Sequence, residues 1–180
     1  MLCIFLEEQL LTGSGNRQDD DGQGREWGKA ELKLPALPPI IFFGPVFLGA
    51  LIHVFIWNGE VIGGTIGLVI GLMLITVGVL LMYWSWITMR RFGEHPEPGV
   101  PTETLVTTGP FKRTRNPIYS GFLLISAGFA ISLNAMAILV SVFFGVALLT
   151  ALVIRREEAY LLREFGDIYT KYENRTGRWI

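Results

Sequence analysis

Residues 116–154 read NPIYSGFLLISAGFAISLNAMAILVSVFFGVALLTALVI, a stretch without a single Asp, Glu, Lys or Arg. A bilayer core takes about 20 residues of helix. The run therefore predicts two spans, about 118–133 and 135–154, folded back at Leu133-Asn134-Ala135. The first of these is short, so it tilts or begins in the interface.

Upstream the pattern repeats. Between Lys33 and Arg90 the one formal charge is Glu60, at the turn Asn58-Gly59-Glu60. Two further spans are predicted there, about 37–57 and 61–86. The expected fold is an all-α integral membrane bundle of four transmembrane helices in two antiparallel hairpins. Half the 180 residues are apolar and mean hydropathy is +0.44, too high for an ordinary soluble domain. The net charge of -1 conceals this segregation and says little about partners.

Orientation follows from the cations. Arg17, Arg25, Lys29 and Lys33 precede the first span. Arg90, Arg91, Lys112, Arg113 and Arg115 separate the second from the third. Arg155, Arg156, Arg163, Lys171, Arg175 and Arg178 follow the fourth. Neither tight turn holds a Lys or Arg, so both termini and the middle loop are expected in the cytoplasm.

Residues 1–34 bury little and read as a disordered cytoplasmic tail, a misassigned start codon being the alternative. Glu7 and Glu8 stand where a signal peptide would be basic. Residues 35–180 form the membrane domain. Gly63, Gly67 and Gly71, and Ala137, Ser141 and Gly145, make small-residue stripes that let helices approach closely. Packing within the bundle is their expected use, ahead of a dimer interface; the oligomeric state is left open. Trp57, Trp84 and Trp86 fall near the expected membrane boundaries.

Few residues can carry chemistry. Transporters place ionisable groups at membrane depth, and the spans offer only His53, more simply a packed or interfacial side chain. His95 reads as a solvated loop residue. Cys3 is the single cysteine, so no cysteine-based metal site is available, and two distant histidines build no catalytic set. No metal is expected.

Attention therefore falls on two polar blocks at the cytoplasmic rim. In Thr108-Gly109-Pro110-Phe111-Lys112-Arg113-Thr114-Arg115-Asn116-Pro117, the dipeptides Gly-Pro and Asn-Pro mark turns. Pro117 suits the first turn of the third helix, whose N-terminus offers an anion or polar-ligand site. Charge alone fits equally a basic loop on acidic headgroups. After the fourth span come Glu157 and Glu158, where only cations are asked for; local pairing of Arg155 with Glu158 is the simpler use of one of them. Leu161, Leu162 and Phe165 then predict an amphipathic C-terminal helix on the cytoplasmic side, ended by Gly166. Tyr169, Tyr172 and Trp179 suggest that the tail packs at the membrane surface.

Together these blocks resemble the membrane methyltransferases related to isoprenylcysteine carboxyl methyltransferase and phospholipid methyltransferase. The matching text is Pro101-Thr102, Leu105-Val106-Thr107, Gly109-Pro110-Phe111, Arg115-Asn116-Pro117-Ile118-Tyr119 and Gly121. It continues in Arg156-Glu157-Glu158, Leu162, Phe165-Gly166, Tyr169, Tyr172 and Arg178-Trp179-Ile180. The resemblance implies S-adenosylmethionine as the cofactor. It implies that Gly109, Arg115, Asn116, Pro117, Tyr119, Gly121, Glu157 and Glu158 bind it, with Glu157, Glu158 and Arg115 catalytic. Tyr169, Tyr172 and Arg178 would bind substrate or form a lid. Many relatives carry His where this chain has Asn116, which cannot titrate near neutrality.

The implied reaction is methyl transfer to a hydrophobic or lipid-linked acceptor, an isoprenylcysteine-type carboxylate or a phospholipid amine. The expected partners are the bilayer and that acceptor, with no nucleic acid. The location is the cytoplasmic membrane in a prokaryote, or the endoplasmic reticulum in a eukaryote. Two alternatives stand beside it: an NADPH-dependent membrane sterol or steroid reductase, and a non-enzymatic scaffold.

Overall fold

The computed structural model describes residues 38–94 and 102–179. The predicted N-terminal tail, His95 and Ile180 lie outside them. The described residues are all-helical, with no strand beyond one isolated bridge. Helix α1 is Pro38–Phe55 and α2 is Gly64–Arg91. A 3-10 turn, Gly109–Lys112, leads to α3, Pro117–Ser132. Then α4, Met136–Leu149, runs through a π-helical turn, Thr150–Ile154, directly into α5, Arg155–Phe165; α6 is Asp167–Glu173. The fourth predicted span and the predicted C-terminal helix are thus one continuous rod.

Among the described residues three helices are long and apolar enough to cross a membrane: Pro38–Phe55, Gly64–Arg91 and Met136–Phe165. With its 16 residues, α3 is shorter than a typical span. The chain is a membrane protein. Ile66, Phe47 and Phe143 are each more than two-thirds exposed, side chains that lipid must cover.

Packing does not follow the chain hairpins throughout. Helices α3 and α4 touch as expected, but α1 lies on α4 and α2 lies on α3 rather than on each other. The cause is in the glycines. Lipid tails are as apolar as leucine, so helices associate by close packing at small residues. A Cβ on Gly128 would lie 2.6 Å from the Gly71 carbonyl oxygen, and one on Gly78 would lie 2.9 Å from that of Gly121. On the other side, a Cβ on Gly145 would lie 2.8 Å from the Phe42 carbonyl oxygen. Gly49 faces Ser141 and Ala137 as closely. The predicted stripes are therefore occupied inside the bundle. Gly63 departs from its stripe and precedes α2 as the N-cap residue.

The two apolar turns meet at one end. Asn134 adopts left-handed φ of 53°, which Asn tolerates through its short polar side chain. Its Oδ1 accepts the Val61 N–H at 2.7 Å, and the Met136 N–H reaches the Gly59 carbonyl at 2.9 Å. At the opposite end Phe42, Val142, Leu149, Val153 and Ile154 form a buried core against which Phe122 and Trp179 pack. There Arg90 lies 4.6 Å over the Trp86 ring, cation on aromatic, at the end of α2.

Candidate active site

The loop entering α3 is shaped by its own turn residues. Gly109, at φ +59°, lets the chain pass so near α2 that a Cβ would lie 2.9 Å from Thr88 Oγ1. Buried Thr114 donates from Oγ1 to the Arg178 carbonyl and accepts the Asn116 N–H, both at 3.1 Å. Asn116 Nδ2 donates to the same carbonyl at 3.1 Å. The Arg115 N–H donates to the Gly177 carbonyl at 2.9 Å, completing a parallel bridge between Thr114 and Gly177. The Asn116 side chain is thus spent on fastening the C-terminal segment.

The second wall is α5. A π turn inserts one extra residue and shifts the facing of everything after it, and such turns recur at functional sites. Here it directly precedes the twin acids. Consecutive helix positions point about 100° apart, and the two carboxylates meet different partners. Tyr119 donates its hydroxyl to Glu157 Oε1 at 2.8 Å. Glu158 is held by both prongs of Arg178, Nε at 2.9 Å and Nη2 at 2.7 Å, with Arg115 Nη1 at 3.3 Å from Oε1. Two distant arginines, not the expected neighbour Arg155, supply these contacts. Arg115 Nη1 also donates to Glu173 and, at 3.3 Å, to the Tyr169 hydroxyl. The Tyr172 hydroxyl donates to the Phe111 carbonyl at 2.8 Å. Contacts between residues as many as 64 apart in sequence meet at this site.

A cavity of about 120 Å³ lies between the walls. Arg115, Asn116, Glu157, Glu158, Tyr169 and Tyr172 all line it. Tyr119 and Arg178 reach it through the carboxylates they bind. Like these two, three further expected residues do not line it: Gly109 packs on α2, Pro117 is buried at the start of α3, and Gly121 faces Gly78 and Met82. Glu94 was not anticipated. The residue is 7% exposed and lines the cavity, and its carboxylate accepts the N–H groups of Glu103 and Thr104. Sequence offers no signal for it beyond an acid following the basic end of a helix. Among the described residues no cluster of metal-ligating side chains occurs.

Electrostatics fix the charge states. Burial alone would lower the Arg115 pKa, but Glu173, Tyr169 and Glu158 outweigh it and hold the guanidinium above its usual value. The hydrogen-bonded Glu158 does the same for Arg178. Burial pushes the Tyr169 and Tyr172 phenols up, so both remain neutral. Among the groups lining the cavity, Arg115 Nε is buried and has no hydrogen-bond partner among the described residues.

The sequence profile of the phospholipid methyltransferases matches residues 66–168, more than half of the chain; it takes in the loop entering α3 and all of α5 and ends before Tyr169, Tyr172 and Arg178. The chain belongs to the phospholipid methyltransferase family. No curated protein and no solved structure matches it. Methyl transfer is the chemistry of the family, and neither the reductase nor the scaffold alternative gains support. In this family member, the acids of α5 and the entry loop of α3 share one cavity beside the membrane-crossing helices.

Proposed function

We propose that the protein transfers a methyl group from S-adenosylmethionine to a hydrophobic or lipid-linked acceptor at the cytoplasmic membrane face. The carrying observation is the convergence of Arg115, Asn116, Glu157 and Glu158 on one cavity roofed by Tyr169 and Tyr172. In the proposed topology α1, α2, α3 and α4 are four spans, with both termini cytoplasmic. Helices α5 and α6 lie at the inner surface, where exposed Leu162 and Ile168 can enter the interface. Residues 35–180 are the catalytic unit, and 1–34 a cytoplasmic tail.

The chain's own groups suit such a donor. The partnerless Nε of Arg115 offers a buried cationic donor for the carboxylate of its methionyl half. Glu157, whose described partner is a phenol rather than an arginine, offers carboxyl oxygens as acceptors for its ammonium. When bound, S-adenosylmethionine supplies a sulfonium methyl that is already electrophilic, so the residues' task is orientation and exclusion of water. A carboxylate acceptor needs no base. An amine acceptor must lose a proton, and Glu157 is the cavity carboxylate best placed to take it. Typical ligand pockets hold roughly 300–1,000 Å³, so the 120 Å³ cavity must widen to admit the donor. The tail roofing it is the element to move.

The test is equilibrium binding to detergent-purified protein. S-Adenosylmethionine should bind with a Kd on the order of micromolar, within the usual cofactor range, and NADPH should not. The double substitution Glu157→Gln, Glu158→Gln should abolish binding while leaving membrane insertion intact; unchanged affinity would refute the assignment.

A further inference from the structure

Glu94 follows directly on α2, after Gly93 at φ +74°, and turns its carboxylate inward. One oxygen, Oε1, accepts two consecutive backbone N–H groups, Glu103 at 2.9 Å and Thr104. A third amide of the same segment, Thr102 N–H, donates to the Tyr160 hydroxyl of α5 at 3.3 Å. The segment 102–106 has no ladder or helix to satisfy these groups, and a buried amide without a partner is costly. An ionised acceptor makes the stronger bond. Glu94 therefore holds the segment between α2 and α5, where Leu105 and Val106, with Met89 of α2, form an apolar wall of the cavity. The other charged lining groups, Arg115, Glu157 and Glu158, come from the loop entering α3 and from α5.

We propose that Glu94 is a positioning residue: by bracing segment 102–106 it shapes the apolar wall that receives the flat nucleoside half of the methyl donor. This rests on the donor-site assignment above and adds a polarity to it. The nucleoside lies toward Met89, Leu105 and Val106, the methionyl half toward Arg115 and Glu157. Glu94 acts through the backbone it holds and sets donor affinity, not the transfer step.

The experiment measures binding of S-adenosylmethionine and of 5′-methylthioadenosine, which keeps the nucleoside and lacks the amino acid. Wild-type protein is compared with Glu94→Gln, Glu94→Asp and Glu94→Ala. Gln keeps an oxygen acceptor at full length and should bind both ligands within about threefold of wild type. Asp keeps the charge but is one methylene too short, and Ala has no acceptor. Both should weaken the two ligands by the same factor, about tenfold or more, equivalent to the loss of one good contact. Turnover at saturating donor should stay within about twofold, with the change confined to the donor KM. Unchanged affinity in Asp and Ala overturns the proposal. So does a loss confined to S-adenosylmethionine, a Gln variant as weak as Ala, or wild-type protein that binds S-adenosylmethionine but not methylthioadenosine. If Ala fails to fold, the Asp and Gln pair decides. Wild-type protein that binds neither ligand defeats the donor-site assignment itself.

Discussion

Adjacent in sequence, Glu157 and Glu158 divide their duties. Glu158 is embraced by Arg115 and Arg178, whereas Glu157 takes a phenol hydroxyl. Replacing Glu158 by Ala leaves two guanidiniums without their shared anion. Breaking a buried pair costs about 3–5 kcal/mol, but the Arg178 side chain is 36% exposed and water screens it. A loss of about 1–3 kcal/mol is therefore expected in thermal or denaturant unfolding in detergent. Tyr119→Phe removes one hydrogen bond, worth about 1 kcal/mol, and should cut turnover more than stability. A melting temperature unchanged in Glu158→Ala would show that the network does not hold the tail. The acids and Arg115 were legible in the sequence because charge at the end of an apolar run is conspicuous. Glu94 was not, because its work is done on backbone amides of residues 103 and 104, and no side-chain pattern records that.

For the helices, approximate places along the chain could be read from hydropathy, since lipid imposes an almost uniform apolar requirement on spanning segments. Partner choice could not. The chain order suggests that α1 pairs with α2, yet glycine faces that interlock at backbone distance send α1 to α4 and α2 to α3. The π turn at Thr150–Ile154 was equally hidden, because its sequence is ordinary helix former and β-branched residues. Interlocking predicts an asymmetry between glycines. Gly71→Ala would drive a Cβ into Ser132 and the Gly128 backbone, and overpacking of this kind costs about 1–3 kcal/mol. Gly44→Ala has no neighbour within 4 Å to strike and should be near neutral. Equal stability of the two variants, measured by reversible unfolding in mixed micelles, would contradict the packing described. Trp179→Ala should loosen the C-terminal strap, because that ring packs on the core around Phe42 and Leu149. Faster hydrogen exchange at the Arg115 amide, which donates to Gly177, is the expected sign.

On the scale of the whole molecule, the two hydrogen-bonded turns lie at one end and the cavity at the other. Every Lys and Arg outside residues 1–34 belongs, in sequence, to the cavity end. By the positive-inside rule that segregation predicts the turns outside and the site inside, the topology proposed above. In a Cys3→Ser background, Asn58→Cys should react with an impermeant thiol reagent in intact cells, and Lys112→Cys only after permeabilisation. The reverse pattern would invert the topology. The site itself depends on nothing shorter than the full bundle: α2 gives Met89, the loop entering α3 gives Arg115, and the end of the α4–α5 rod gives Glu157. The central claim is that these elements enclose the methyl donor. The most direct test is ultraviolet crosslinking of radiolabelled S-adenosylmethionine to the purified protein, followed by mapping of the labelled peptides. Label in the peptides spanning 111–119 and 157–172, displaced by S-adenosylhomocysteine, is the predicted result. Label confined to other segments, or undisplaced, would contradict it.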